Sequence, residues 1–223
     1  MTKGTVIMKS CIAGDRGAAV NKSSLWTSGA SVTGIDDLLT EQEAKYLISA
    51  ADKSGTCKRS KVISKDNKNV DSAARTSTTC FLEKGQDEVI KCIEEKIATV
   101  AKRPVSHLEP LQLTRYKEGQ QYKPHFDFFT KGHKKGDRQR TATLFTYVQG
   151  IDEGCGGATV FSELKTNGQP LRVHPKTGSA VLWDNLRADG SGNPMTRHGG
   201  EPVTCSHVEK IGLNAWFGDR AWM

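Results

Sequence analysis

The sequence lacks any apolar run approaching the roughly 20 residues that a membrane-spanning helix needs, so a soluble chain is expected. The opening MTKGTVIMKSCIAG holds only a short, broken apolar run, which is no core for a signal peptide. Among the six cysteines there is no C-x-x-C pair, which argues against zinc held by paired thiolates. No internal repeat and no low-complexity linker divides the chain, so one domain is the simplest count. No aromatic residue interleaves with the basic stretch KGHKKGDRQR, which weakens any reading of it as a stacking surface for single-stranded nucleic acid.

The sequence does contain 223 residues, 36% of them hydrophobic and 26% charged, the composition of a folded globular domain. The net charge is +7, with basic residues concentrated in Lys53–Lys68 and Lys131–Arg140. Such runs are most often solvated loops, and otherwise contacts for nucleic acid or an acidic partner. Cys92 falls inside a helical pattern and reads as a small buried apolar residue, and all six cysteines are read as reduced thiols.

Residues 1–32 show no sustained periodicity and are read as a tail or extension, with one short strand or Trp26 tucked against the domain that follows over 33–223. Thr40-x-x-Glu43 is a capping box, and Ala44, Leu47, Ile48 and Ala51 behind it predict an amphipathic helix over about 40–52. A second helix is expected over about 86–102 from the stripe Ile90, Ile93, Ile97, Val100 and Ala101, with Pro104 following. Residues 53–73 read as a polar loop. From residue 109 short β-rich segments (LQLTRYK, TATLFTYVQ, GATVF, LRVH, SAVLWD and IGLNAWF) follow one another with turn residues between them, the pattern of a sandwich or barrel. The expected class is therefore mainly β with N-terminal helices.

The chemistry concentrates in RYKEGQQYKPHFD, residues 115–127. On a strand, His125 and Asp127 share a face and aim an imidazole and a carboxylate at one point. H-x-D alone is weak evidence, because the chance rate of the pair is high. A third ligand must come from elsewhere. His107, His133, His174 and His207 each sit in an ordinary loop or turn context. His198 differs in being followed by Gly199-Gly200 and Pro202-Val203, with Lys210 opening the next strand. Two histidines and one carboxylate on one face of a metal, with the other positions open, is the arrangement of non-heme Fe(II) oxygenases.

These residues resemble, in order, a prolyl 4-hydroxylase of the 2-oxoglutarate and Fe(II)-dependent dioxygenases. The likeness runs through Ile35-Asp36-Asp37-Leu38-Leu39, Arg75-Thr76-Ser77, Arg115-Tyr116, Gly119-Gln120, Tyr122, His125-x-Asp127 and Arg140-x-x-Thr143. It continues through Gly156-Gly157-x-Thr159-x-Phe161, Pro175-Lys176-x-Gly178, His198, Pro202-Val203, Lys210 and Trp216. The resemblance implies a double-stranded β-helix (jelly-roll) core. It implies Fe(II) on His125, Asp127 and His198, with Lys210 pairing the distal carboxylate of 2-oxoglutarate, Tyr116 donating to it and Thr159 beside the same pocket. Tyr122, Arg140 and Trp216 match the substrate side. The implied reaction is hydroxylation of a peptidyl proline, with succinate and CO2 as co-products and ascorbate as reductant. A proline-containing peptide or protein is the expected partner, nucleic acid is not, and a monomer is favoured. Two departures stand out: Ala158 replaces the usual acidic residue, and the turn TCSHVE before Lys210 is about two residues longer than usual. The rival readings are hydroxylation of a free amino acid or another side chain on the same scaffold, a nucleic-acid demethylase, and a jelly-roll binding module without catalysis.

Overall fold

The computed structural model describes residues 4–63, 69–70, 73–130 and 137–222. Strands β1 (Gly4–Met8), β2 (Ala18–Trp26) and β3 (Val32–Asp36) precede helix α1 (Glu41–Lys53). Short strands β4 (Lys58–Arg59), β5 (Val62–Ile63) and β6 (Asn69–Val70) lead to β7 (Thr78–Phe81) and helix α2 (Glu88–Ala101). The strands that follow are β8 (Gln112–Tyr116), β9 (Tyr122–His125), β10 (Arg140–Gln149) and β11 (Thr159–Thr166). The last are β12 (Gln169–Val173), β13 (Ala180–Asp184), β14 (His198–Gly200) and β15 (Lys210–Gly218). All six β-rich segments read from residue 109 onward are strands.

Two antiparallel sheets carry the molecule, one of nine strands in the order β1-β2-β3-β13-β10-β15-β8-β7-β4 and one of four in the order β12-β11-β14-β9. Period-two alternation along the central strands separates two cores. On β15, Ile211, Leu213, Ala215 and Phe217 pack toward the helices, while Lys210, Asn214 and Trp216 line a groove on the other face. On β10, Leu144 and Val148 join the helix-side core, and Phe145 and Tyr147 pack with Phe161, Leu164 and Trp183 between the sheets. The functional groups thus lie between the large sheet and the small one.

The Thr40 capping box forms: the Thr40 hydroxyl accepts from Glu43 N at 3.2 Å, and Glu43 Oε2 accepts from Thr40 N at 2.8 Å. The buried Lys96 ammonium donates to both Glu43 oxygens at 2.7 and 2.8 Å, tying α2 to α1. Asp87 caps the start of α2, and Lys102 ends it in the left-handed region at φ 55°. Among the described residues, no helix is long and apolar enough to cross a membrane.

Several expectations change. The cysteines are not reduced: Cys11–Cys92, Cys57–Cys80 and Cys155–Cys205 are disulfides and no thiol is free. Cys92 is therefore a cross-link from α2 to the N-terminal segment and not an apolar filler. Residues 4–26 are more than a tail, since β1 and β2 extend the large sheet. Their pattern is hard to read because β1 is exposed at four of its five positions and shows no alternation. Part of the 53–73 loop is strand β4, paired with β7. Residues 64–68, 71–72 and 131–136 lie outside the described residues, and with them His133 and the lysines Lys134 and Lys135.

Candidate metal centre and substrate groove

His125 ends β9, Asp127 sits in the bend just after it, and His198 opens β14, which pairs with β9 so that His198 lies opposite His125. One potential ligand atom from each of the three falls within 4.8 Å of the others. The two histidine Nε2 atoms lie 3.6 Å from Oδ1 and Oδ2 of Asp127 respectively. Each imidazole is oriented by the backbone: His125 Nδ1 donates to Lys123 O at 3.0 Å, and His198 Nδ1 donates to Thr196 O at 2.9 Å. A carbonyl can only accept, so Nδ1 carries the proton and the Nε2 lone pair is left for a metal. Burial pushes the His198 imidazole down to about 4, which keeps it neutral near pH 7. Burial alone would raise the Asp127 carboxyl, but the adjoining His198 and His125 outweigh it and hold the group well below the usual carboxylate range. A neutral His198 and an ionised Asp127 are the forms that bind a divalent ion, and two imidazoles with one carboxylate suit Fe(II).

Local sequence explains the convergence. Three steps along β9 from Tyr122 to His125 face two steps along β14, so β9 carries an extra residue. That bulge contains Pro124, which has no N–H to offer a ladder. It turns Tyr122 and His125 to one side, where their rings stack at 3.6 Å. Gly199 permits the approach of the two strands, because a Cβ there would stand 2.8 Å from Tyr122 O. Behind the carboxylate, Thr143 donates to Asp127 Oδ2 at 2.7 Å and accepts from Asn185 Nδ2 at 2.9 Å. His107 and His174 lie elsewhere, against Gly218 O and Glu153 respectively, and the described cluster does not include His207.

Lys210, the first residue of β15, is 1% exposed. Its ammonium donates to Gly157 O at 2.6 Å and has no carboxylate within ion-pair distance among the described residues. It stands 4.8 Å from the Tyr116 ring centre and 6.0 Å from that of Tyr147. Burial pushes it down to about 8, with Glu201 opposing. A buried cation without a counter-charge is costly unless a ligand supplies one. Gly200 adjoins the ammonium, since a Cβ there would come 3.6 Å from Nζ. The buried Tyr147 hydroxyl lies 2.8 Å from the Thr159 hydroxyl and 3.1 Å from Val173 O, and Thr159 lines the same pocket. The pocket thus offers a buried cation to an anionic ligand.

The metal cluster and Lys210 open into one groove of about 1640 Å³. Tyr122, Arg140 and Trp216 all line it. The Arg140 guanidinium lies 3.7 Å from the Trp216 ring centre and forms a two-pronged pair with Glu109 at 2.9 and 2.8 Å. Arg138 reaches the same Glu109 at 2.6 Å and stands over the Trp222 ring. Sequence reasoning missed Glu109, Arg138 and Trp222. Glu109 lies 31 residues from Arg140, and no local motif announces such a pair. Ala158 is fully buried, and its carbonyl accepts from Glu201 N at 2.9 Å. The long turn before Lys210 is tied down through Cys205 to Cys155.

A family model described as the 2OG-Fe(II) oxygenase superfamily matches residues 111–218. Probable prolyl 4-hydroxylase 3 of Arabidopsis thaliana is 38% identical over 75% of this chain and 62% of its own length. Prolyl 4-hydroxylase 5 of the same plant is 37% identical over 81% of this chain and 66% of its own. The chain thus spans just under two thirds of these curated relatives. Among solved structures, the viral collagen prolyl hydroxylase of Paramecium Bursaria Chlorella virus-1, in its 2OG complex, superposes with TM-score 0.66 at 30% identity. That match covers 84% of this chain and 95% of the viral one.

Proposed function

This chain belongs to the prolyl 4-hydroxylases of the 2-oxoglutarate and Fe(II)-dependent oxygenase superfamily, and from that premise we propose that it hydroxylates proline within a peptide or protein to 4-hydroxyproline. The observation that carries the reading is the His125, Asp127 and His198 cluster beside the unpaired, buried Lys210 in one groove. The catalytic unit is assigned to residues 33–223, with the preceding strands as an extension, and the two facing sheets are read as a distorted double-stranded β-helix.

Fe(II) with 2-oxoglutarate and O2 supplies the power to place a hydroxyl on an unactivated C–H bond, with succinate and CO2 leaving, and ascorbate serves as reductant. The chain's own residues bind, orient and exclude water. His125, Asp127 and His198 hold the metal through three protein ligands and leave its remaining positions for reactants. Thr143 and Asn185 fix the Asp127 carboxylate. Lys210 pairs the distal carboxylate of 2-oxoglutarate as a charge-assisted hydrogen bond, with Tyr116 and Thr159 as further donors. Arg140, held by Glu109 and stacked on Trp216, forms with Tyr122 the wall against which the proline ring rests. The groove exceeds the roughly 300–1,000 Å³ of small-molecule pockets, which favours a peptide over a free amino acid.

The test is mass spectrometry on proline-rich peptides and free proline, incubated with Fe(II), 2-oxoglutarate and ascorbate, with Asp127→Ala as control. One oxygen gained on a peptide proline, and absent in the control, is the expected result. Oxygen on free proline alone, or none on any peptide or protein tried, would overturn it.

A further inference from the structure

The groove is unevenly charged. Eight lysine or arginine and three aspartate or glutamate side chains line it. Most of the cations already have work: Lys210 faces the cosubstrate pocket, Arg138 and Arg140 share Glu109, and Arg75 donates to Gln112 and Thr79. Lys58, Arg59, Lys61 and Lys123 remain. All four are exposed, all line the groove, and none forms an ion pair among the described residues. Of the three acids, Asp127 is a metal ligand and Glu109 is held by two arginines.

All four cations line the groove from neighbouring backbone segments. Lys58 and Arg59 form β4, which pairs with Thr79 and Thr78 of β7. Ser60 N donates to Ser77 O, Arg75 bridges to Tyr122, and Lys123 N donates to Ala74 O. A continuous ribbon therefore runs from the basic edge to the strand that carries His125. Lys123 is two residues before that ligand, about 7 Å along a strand at roughly 3.3 Å per residue. The other wall is of different character, with Trp216, Trp222 and Phe129 around Arg138 and Arg140.

We propose that this basic wall is a specificity subsite that selects peptides with Asp or Glu one to three residues from the target proline. The inference rests on the prolyl hydroxylase reading and narrows its substrate class. An extended peptide advances about 3.3 Å per residue, so an acidic side chain within three residues of a proline at the metal spans the distance from His125 to Lys123, with the β4 cations lining the same groove. The recognition is exposed and electrostatic. It weakens with ionic strength, and each pair contributes at most about fivefold.

The test measures equilibrium binding of fluorescent peptides by anisotropy, without oxygen, to the protein loaded with Fe(II) and 2-oxoglutarate. The peptides share one central proline and carry Glu, Gln or Lys in the flanks. The expected result is about tenfold tighter binding of the Glu peptide than of the Gln peptide at low salt, shrinking at 0.5 M salt (~4 Å screening length). The triple variant Lys58→Glu, Arg59→Glu, Lys61→Glu, on an exposed edge strand, should reverse the order and prefer the Lys peptide. Equal affinity for all flanks, or a preference that survives the triple variant unchanged, overturns the proposal. So does a single-stranded oligonucleotide that displaces the Glu peptide at concentrations below the peptide's own Kd, because the wall would then serve nucleic acid. Because the readout is binding, an acidic preference without any hydroxyproline upholds the subsite and sinks the reaction assigned to it.

Discussion

At Asp127 a single hydroxyl decides how the metal is held. Thr143 donates to the carboxylate and is itself held by Asn185. Thr143→Val keeps the shape and removes the donor, so metal affinity should fall about 10- to 100-fold, the usual cost of losing a ligand's outer partner. Titration with Mn(II) followed by electron paramagnetic resonance reads this directly, with little change in the thermal midpoint. Lys210 gives a second prediction through pH. Burial holds it at about 8 against the usual 10.5. Between these values the unfolded chain binds more protons than the folded one, so stability without cosubstrate rises with pH across that window. Bound 2-oxoglutarate favours the protonated form, so its affinity should be flat below about pH 8 and fall by up to tenfold per unit above it. Calorimetry in two buffers of different ionisation enthalpy should show proton uptake above pH 8, and none in Lys210→Met. Both residues could be singled out in the sequence, Thr143 in a spaced motif and Lys210 at a strand start. Glu109 could not, because its meaning lies in two arginines about thirty positions away.

At the scale of elements, legibility follows burial. Helix α1 could be read from Thr40 and Glu43 because a capping box is a local contact, and β10 and β15 from their density of β-formers. Strands β1 and β4 escaped because exposed residues carry no alternation to read. The pairing of β9 with β14 was hidden for another reason: a proline bulge breaks the period-two pattern on which strand reading depends. The turn before Lys210 shows what an unreadable element can do. Cys205 joins it to Cys155, Thr204 N donates to Cys155 O, and Gly157 N donates to Pro202 O. Gly157 O is in turn the acceptor for the Lys210 ammonium. The disulfide therefore clamps the two segments that hold the Lys210 ammonium. Cys155→Ser with Cys205→Ser should raise the Kd for 2-oxoglutarate about three- to tenfold, leaving Mn(II) affinity within twofold. Calorimetric titration of each ligand separates the two, and equal loss of both would mean a general loosening.

For the whole molecule the cysteines matter most, and they were the least legible. Six allow 15 pairings, and nothing in their spacing chooses among them. Three-dimensional proximity does, and the result places Cys11–Cys92 and the buried Glu43–Lys96 pair around the same helices, with Cys11 N donating to Glu43 at 2.9 Å. Disulfides of this kind persist in oxidising surroundings. The link closes a loop of 81 residues, for which the loss of unfolded-state entropy is worth about 4.5 kcal/mol. Cys11→Ser with Cys92→Ser should therefore lower urea-unfolding stability by about 2–4 kcal/mol, less than the full figure because the N-terminal strands keep their pairing. This disulfide lies among the helices, on the far side of the large sheet from the groove. The same variant should then bind 2-oxoglutarate with unchanged affinity below its unfolding midpoint. A matched fall in both would mean that the helix layer controls the groove through the sheet, and that the two faces of β15 are not independent.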